Sequence, residues 1–463
     1  MRKTKIIATV GPASSDMETL NKMIREGVDV IRLNFAHGTL EEKHELIRMI
    51  REIEESIDDY VAIMADIPGR GPRIGRMPKK YMDLGERVVF VFGERESDNP
   101  HIIPVPPKEL QQVMDVGDEV LLADGRVIIR IDRILENEAE GTVISDGELR
   151  GNVSITIRDK PLPFPPLSER DKKFVKFAVE NDVDYIALSF VQSATDVVEL
   201  RELLRSIGGG NIKIISKIEN KLAILHLKEI LTESDVVMVA RGDLGVQLSL
   251  EDIPYLETLI INEALKVGKP VILATQVLES MIESPVPTRA EIMDIATAVE
   301  KGVDAIMLSG ETAIGKHPVR AVSWLRRVIE RTETHMSFPR VEPPDDSPIY
   351  VKFNRSIVSI AEYLDAKIVA FTTGGFTATM LARFRTTKDI IAVSNNIKTV
   401  RQLKLLWGVY PQYTNKEKVG LEDLSHLVAK KRLARAGERL VVTLGWRPEL
   451  GNIQEIRVEE ISE

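Results

Sequence analysis

The chain has 463 residues, 43% of them apolar and 29% charged, with a net charge of −9 and no cysteine. This length exceeds one compact core and predicts two to four domains, while the acidic balance argues against nucleic acid as the main partner. The lack of cysteine excludes disulfides, thiolate metal sites and cysteine nucleophiles; no apolar run nears the ~20 residues of a membrane span, and the opening "MRKTKIIATVG" lacks the pattern of a secretion signal, so a cytoplasmic location is expected.

Along the chain a short apolar stretch recurs, each copy ending in polar residues and followed by a helical stretch. In order the copies are "KIIATVGPAS", "DVIRLNFAHG", "VAIMADIPG", "DYIALSFVQS", "KIISKIEN", "DVVMVARGD", "PVILATQ" and "DAIMLSGET". Near-continuous apolar runs mark parallel strands covered on both faces. Alternation of strand and helix eight times predicts a (β/α)8 TIM barrel. The intervening "METLNKMIREGV" and "PYLETLIINEALKVG" have helical periodicity and end near a Gly stop.

The third and fourth copies are too far apart for one helix. Between them "ERVVFVFGE", "GDEVLLADGRVIIRIDRI" and "AEGTVISDGELRG" read as a small all-β domain inserted after strand three. It closes with the Pro-rich "PLPFPPLSERD" and a helix start at Ser168. After about residue 335, "FPRVEPPDDSP" reads as a linker, and "KIVAFTTGG", "DIIAVSN" and "RLVVTLGW" read as strands of a separate α/β domain. The expected division is a barrel over 1–68 and 159–334, an inserted β-barrel lid over 69–158, and a C-terminal three-layer α/β domain over 335–463.

In barrel enzymes the active site lies at the carboxyl ends of the strands. Those ends carry Arg32 and Asn34, Asp66, Ser189, Lys217 with Glu219, Arg241 with Asp243, Thr275, and Ser309 with Glu311. Lys217 and Glu219 are two apart and share one face of a strand, as either a structural ion pair or a cation beside a metal-binding carboxylate. Glu219 and Asp243, on neighbouring strands, suit an oxygen-ligated Mg²⁺ or Mn²⁺ that also takes substrate oxygens. Arg32, Lys217 and Arg241 add positive charge matched to phosphate or carboxylate. The set points to a divalent-metal enzyme of a phosphorylated or carboxylated small molecule, in the layout of phosphoryl transfer. His44, His226, His317, His335 and His426 are scattered and read as surface or packing residues, and "GRGPRIG" has the wrong spacing for a dinucleotide loop.

Taken in order, "TKIIATVGPAS", "RLNFAHG", "IISKIEN", "VMVARGDLGV", "ATQVLESMI", "PTRAE" and "IMLSGETAIGKHP" resemble pyruvate kinase. "ARFRTTKDIIAVSNN" and "LKLLWGVYP" carry the resemblance into the last domain. It implies a glycolytic homotetramer that transfers the phosphoryl group of phosphoenolpyruvate to ADP, giving pyruvate and ATP. Carried over position by position, it implies that Lys217 neutralises the phosphoryl group in flight and the enolate oxygen. Glu219 and Asp243 would hold Mg²⁺, the backbone at Gly242 would seat the substrate carboxylate, and Arg32 would grip the phosphate. Thr275 would orient the substrate, with Ser309 in a water-mediated proton path. Asn34, His37 and Pro12 would face ADP, which brings a second Mg²⁺, and the lid would close to exclude water.

Two other classes compete with this reading. Another metal-dependent barrel enzyme of phosphoenolpyruvate or pyruvate would lack the lid, and a dikinase would need a phosphorylatable His in a swivelling domain. A silent metabolite sensor requires loss of a core residue, yet Lys217, Glu219, Asp243 and Thr275 are all present.

The departures from the family pattern carry information of their own. Many pyruvate kinases have "NFSHG" and "DTKGPEIR", whose Asn, Ser, Asp and Thr enclose K⁺. Here Ala36 and Ile67 replace the two hydroxyl residues, while Asn34 and Asp66 remain. "DIPGRGPRIGRM" has Arg70, Arg73 and Arg76 and no acid at the Glu position, so a fixed guanidinium is expected to replace K⁺ and activity to be K⁺-independent. Counted without a gap, Arg73 takes the place of the phosphate-binding Arg; shifted to match "GP", it falls at the Glu position. In the last domain, "TTGGFT" (Thr372, Thr373, Gly374, Gly375 and Thr377) matches part of a Ser/Thr-rich effector loop. It reads as a site for a phosphorylated effector or as a plain strand-to-helix turn.

Overall fold

The computed structural model describes the whole chain except residues 1, 58, 336–337, 445–454 and 462–463. Eight strands, Lys5–Val10, Val30–Asn34, Ala62–Ile67, Tyr185–Leu188, Lys213–Ile218, Val236–Ala240, Val271–Ala274 and Ala305–Leu308, close into a barrel. They follow one another around it in sequence order, every pair parallel. Side chains alternate between two faces. Ile6, Ile63, Ile186, Ile214, Val237 and Ile306 pack with the surrounding helices, while Ile7, Met64, Ala187, Ile215, Met238 and Met307 form the barrel's inner core.

Local signals set the helix ends. Helix Met17–Glu26 starts where the Asp16 side chain accepts from the Thr19 N–H, and it stops at Gly27, whose φ of 114° a residue with a β-carbon would resist. Ser168 and Asp171 form a capping box for helix Glu169–Glu180. Helix Ile253–Val267 stops at Gly268 in the left-handed region. No helix among the described residues is long and apolar enough to cross a membrane.

The insert after barrel strand three is a six-stranded sheet with a two-stranded ribbon, both built on one core that includes Met82, Phe90, Phe92, Ile129 and Leu149. Its strands Lys80–Met82, Ile102–Val105 and Ile155–Ile157 escape a sequence reading because three or four residues are too few to show alternation.

The C-terminal sheet runs in the order Val409–Tyr413, Ile390–Ser394, Lys367–Phe371, Arg439–Thr443, Ile456–Glu460, the last strand antiparallel to its neighbour. Ile368 and Ala370 pack against Val351, Ile357 and Ala361, and Val369 and Phe371 pack against Leu424 and Val428. Helices therefore cover both faces in three layers. The expected stretch "RLVVTLGW" runs past the strand into Gly445 and Trp446, which lie outside the described residues.

This domain is bolted to the amino end of the barrel. Asp304, just before the last barrel strand, accepts from the N–H groups of Val271 and Trp407, each at 3.0 Å, and pairs with Arg385. Asp304 and Arg385 are both buried. Removing one member of such a pair strands a buried charge at a cost of about 3–5 kcal/mol. Asp304→Ala is therefore expected to lower unfolding free energy by that amount in urea titration; a loss below about 1 kcal/mol would contradict this account of the joint.

Candidate active site

The inward parity that buries Ile7, Val30, Met64, Ala187 and Ile215 continues two residues further to Thr9, Arg32, Asp66, Ser189 and Lys217. The strand period thus delivers a polar ring to the barrel mouth. The Lys217 ammonium lies 2.6 Å from Glu219 and 3.7 Å from Asp66, and it donates to the Ser189 hydroxyl at 2.8 Å. Arg32 holds Asp66 through Nε at 2.7 Å and Nη2 at 2.6 Å, and donates to Thr9 Oγ1 at 3.0 Å. The second Glu219 oxygen accepts the Phe190 N–H at 2.7 Å. Phe190 adopts φ 55° to aim that group.

The charges are strongly coupled. Burial disfavours the Lys217 ammonium, but Asp66, Glu219 and Asp243 overcome it and hold Lys217 protonated well above its ordinary range. Asp66 stays ionised: burial opposes its charge, and Lys217 with Arg32 more than offsets that. Burial pushes the Glu219 carboxyl up to about 7 against the pull of Lys217, with Asp243 adding to the rise. Burial raises Asp243 too, and Lys217 opposes; the charges of Asp124 and Asp66 push it further up.

At the neighbouring strand ends the backbone is strained. Thr275 and Gln276 have φ of 68° and 54°, unusual for a β-branched residue in particular. Their carbonyls are held by Arg241 Nη2, each at 3.0 Å, while Nη1 binds Asp294 at 2.8 Å and Glu257 at 3.4 Å. Arg241, expected among the substrate-facing cations, is therefore spent as a clamp on the Thr275 turn. That turn points the Thr275 hydroxyl at the Gly242 N–H, which donates to it at 2.8 Å. Glu311 ties the last two strand ends together by accepting from Leu278 N–H at 2.9 Å and Ser309 N–H at 2.7 Å. The Ser309 hydroxyl is buried and has no protein partner among the described residues.

The remaining candidates scatter. A cleft of about 700 Å³ between barrel and insert is lined by His37 of the barrel and by Arg73, Asp124, Arg126 and Arg150 of the insert. Arg73 itself donates to the Asn152 carbonyl at 2.9 Å. Arg70 is buried on Asp196 and Gln192, and Arg76 is exposed in the insert with its backbone bridged to Glu96. None of the three arginines pairs with Asp66; Arg32 and Lys217 do. The charge on Asp66 is therefore met from within the barrel. Asn34 turns its side-chain oxygen onto the Ala36 N–H at 3.0 Å. Pro12 is exposed at the end of the first strand. Thr372, Thr373, Gly374, Gly375 and Thr377 lie at the other end of the molecule. There Gly374 and Gly375 border a cleft whose barrel wall is Tyr185, Lys213 and Val236, at the starts of their strands.

Two residues of the mouth were not singled out in the sequence. Thr9 was legible, since it shares the parity of Ile7. Asp124 was not, because nothing in "LLADGR" says which turn of the insert meets the barrel; in the fold a β-carbon placed on Gly125 would lie 3.5 Å from Val246 of the helix that carries Asp243.

Among the described residues no group of three metal-ligating side chains converges. Glu219 and Asp243 nevertheless fit Mg²⁺ or Mn²⁺, which bind proteins through one or two carboxylates and complete their shell with water and substrate oxygens. Glu219 is buried and Asp243 follows the adjoining strand, so the two acids stand where a cation would relieve the burial that disfavours their charge.

Comparison with known proteins places this geometry. Residues 1–322 match the family model described as pyruvate kinase, barrel domain, and 353–458 match pyruvate kinase, alpha/beta domain. The pyruvate kinase of Thermotoga maritima is 36% identical over the full length of both chains. That of Aeropyrum pernix is 34% identical over 99% of this chain and 98% of its own. The crystal structure of a pyruvate kinase from Cryptosporidium parvum superposes with a TM-score of 0.91 at 31% identity, covering 98% of this chain and 96% of that one.

Proposed function

Because the chain belongs to the pyruvate kinase family, whose reaction joins phosphoenolpyruvate and ADP to pyruvate and ATP, we propose that Lys217 meets both the phosphoryl group in flight and the enolate oxygen it leaves. The observation that carries this is the Lys217 triad. Its ammonium is kept charged and aimed by Glu219 and Ser189, and the longest contact, to Asp66 at 3.7 Å, leaves one N–H to turn toward substrate. Positioning and charge neutralisation are what phosphoryl transfer asks of a protein.

Arg32 is held flat by Asp66 and Thr9 and offers the remainder of its fork to the substrate phosphate. Glu219 and Asp243 are the residues that hold Mg²⁺ or Mn²⁺, which when bound supplies positive charge to the oxygens of the transferring group. The Gly242 backbone seats the carboxylate end, and Thr275 orients it. The buried, unpartnered Ser309 hydroxyl supports a water-linked path for the proton that completes pyruvate. His37, Arg73, Asn34 and Pro12 line the approach of ADP. The test is direct: pyruvate should form only when phosphoenolpyruvate, ADP and Mg²⁺ are all supplied.

K⁺-independence belongs to the same reading. Asp66 is already neutralised by Arg32 and Lys217, Asn34 is turned onto its own backbone, and Ala36 and Ile67 bring no hydroxyl. Rates in KCl and NaCl at equal ionic strength are expected to agree within about twofold; tenfold stimulation by KCl would show a working monovalent site. A homotetramer in the cytoplasm is proposed on the family pattern, with exposed Leu250, Tyr255 and Met293 on consecutive barrel helices and their flanks as contact candidates. The 372–377 loop is proposed for a phosphorylated effector.

A further inference from the structure

Phe190 follows barrel strand Tyr185–Leu188, and its side chain has no role in the reaction set out above. That side chain is half-buried and turns away from the barrel: the ring packs against the core of the insert, whose members run from Ile74 to Leu162. The ring also closes on the segment by which the chain leaves the barrel for the insert. A β-carbon placed on Gly71 would stand 2.7 Å from Phe190 Cε2, 3.3 Å from Cζ and 3.4 Å from Cδ2. The Gly71 backbone lies outside the left-handed region, so it is the ring that keeps a larger residue out. A β-carbon on Gly69 would in turn meet the Ser189 carbonyl oxygen at 2.6 Å. Between the two glycines, Arg70 pairs with Asp196 and donates to Gln192 Oε1 at 3.1 Å. The exit segment and the turn after the fourth barrel strand are thus packed as one unit.

The other side of that turn holds the site. The Phe190 N–H donates to Glu219 Oε2 at 2.7 Å, the Ser189 hydroxyl accepts from Lys217 at 2.8 Å, and the Val191 carbonyl accepts from Asn220 Nδ2 at 2.9 Å. Phe190 makes its bond from φ 55°, a conformation that a bulky residue keeps only where its surroundings over-determine it. Here the Glu219 carboxylate holds the N–H and the insert holds the ring. One residue therefore reaches from the insert's core to a buried carboxylate of the mouth.

We propose that Phe190 is a positioning residue that makes the divalent-metal site depend on the seating of the insert. With the ring lodged between Gly71 and the insert's core, its N–H fixes Glu219; with the ring dislodged, the strained backbone relaxes and the carboxylate is released. This rests on Glu219 as a metal ligand, as given under Proposed function. The coupling acts in both directions, so a metal that fixes Glu219 also favours the seated insert.

The experiment compares wild type with Phe190→Leu, Phe190→Tyr, Gly71→Ala and the double variant Phe190→Leu/Gly71→Ala. It measures Mn²⁺ affinity, hydrogen exchange of the residue-190 amide in metal-free protein, thermal unfolding, and kinetics against Mn²⁺ concentration. Phe190→Leu should weaken Mn²⁺ binding about tenfold or more, the range for a group that supports a metal ligand. Its residue-190 amide should exchange faster by a similar factor. At saturating Mn²⁺ its kcat should stay within about threefold of wild type, because Lys217 and the substrate contacts are unchanged. Phe190→Tyr keeps the ring and should keep the affinity. Gly71→Ala alters no group of the mouth, yet it should reproduce both effects by displacing the ring. The double variant should be no worse than the worse single one, since leucine vacates the space that the new methyl needs; two unrelated packing defects would add. Additive losses would overturn the proposal. So would a residue-190 amide that exchanges within about twofold of the wild-type rate in both single variants. Wild type that binds no Mn²⁺ would sink the Glu219 reading instead; the exchange measurement needs no metal and would still decide whether the ring holds the amide on Glu219.

Discussion

Lys217→Met should lower kcat by about 10³-fold or more while the protein stays folded and still binds a divalent metal. A single neutral donor aimed at developing charge is worth about 10²–10³ in rate, and a fully charged ammonium in a closed site is worth at least that. Methionine matches the length of the lysine stem, so the packing around Ile215 and Met238 is kept and the change is one of charge. The three groups that steer the ammonium, Glu219, Ser189 and Asp66, remain in place. The loss should therefore fall on kcat with KM little altered, the pattern of an interaction made in the transition state. A variant within tenfold of wild type would remove Lys217 from the chemistry. No pyruvate from folded, metal-loaded wild type would bring forward the metabolite-sensor reading.

Glu219→Gln should weaken Mn²⁺ binding by at least about 10²-fold, since even residues that only support a metal ligand cost 10–100-fold when changed. The pH dependence supplies a sharper test. With its carboxyl raised to about 7 by burial, Glu219 carries a proton through the mildly acidic range, and the metal must displace it. Affinity in wild type should climb as pH rises from about 5.5, then level off above about 7 when the carboxylate is already bare. Each bound ion should release close to one proton on the acid side. Glutamine has nothing to release, so the variant's slope should flatten. The Asp243 carboxyl, raised in the same direction, leaves a residual slope of the same sign. Mn²⁺ titrations between pH 5.5 and 8 decide the matter, and a pH-independent wild-type affinity would place the metal elsewhere.

Particular residues show why some of this was legible in the chain and some was not. Lys217 and Glu219 could be placed on one face from their spacing alone, because a strand repeats every two residues. The same rule extends to Thr9, Arg32, Asp66 and Ser189. The helix starts at Asp16 and Ser168 and the stops at Gly27 and Gly268 are local chemistry, readable within four or five residues. The strands Lys80–Met82 and Ile155–Ile157 were too short to carry a period.

The arginines divide the two kinds of knowledge. Arg241 stands at a strand end, and nothing nearby in the chain says that it faces away from substrate. Its acidic partners Glu257 and Asp294 are 16 and 53 residues on. Arg70, Arg73 and Arg76 look alike within one short segment, yet the fold sends one to Asp196, one to the cleft and one to the surface.

By itself, then, the sequence determined the eightfold strand–helix repeat, the inward parity of the candidate site residues and the family. Each of these is a periodic or contiguous property of a chain. Only the tertiary structure decided which cations are already neutralised and which turn of the insert meets the mouth. Whether a charge has a partner depends on distances of a few ångströms between residues far apart in the chain, and those are set when the strands close and the helices pack.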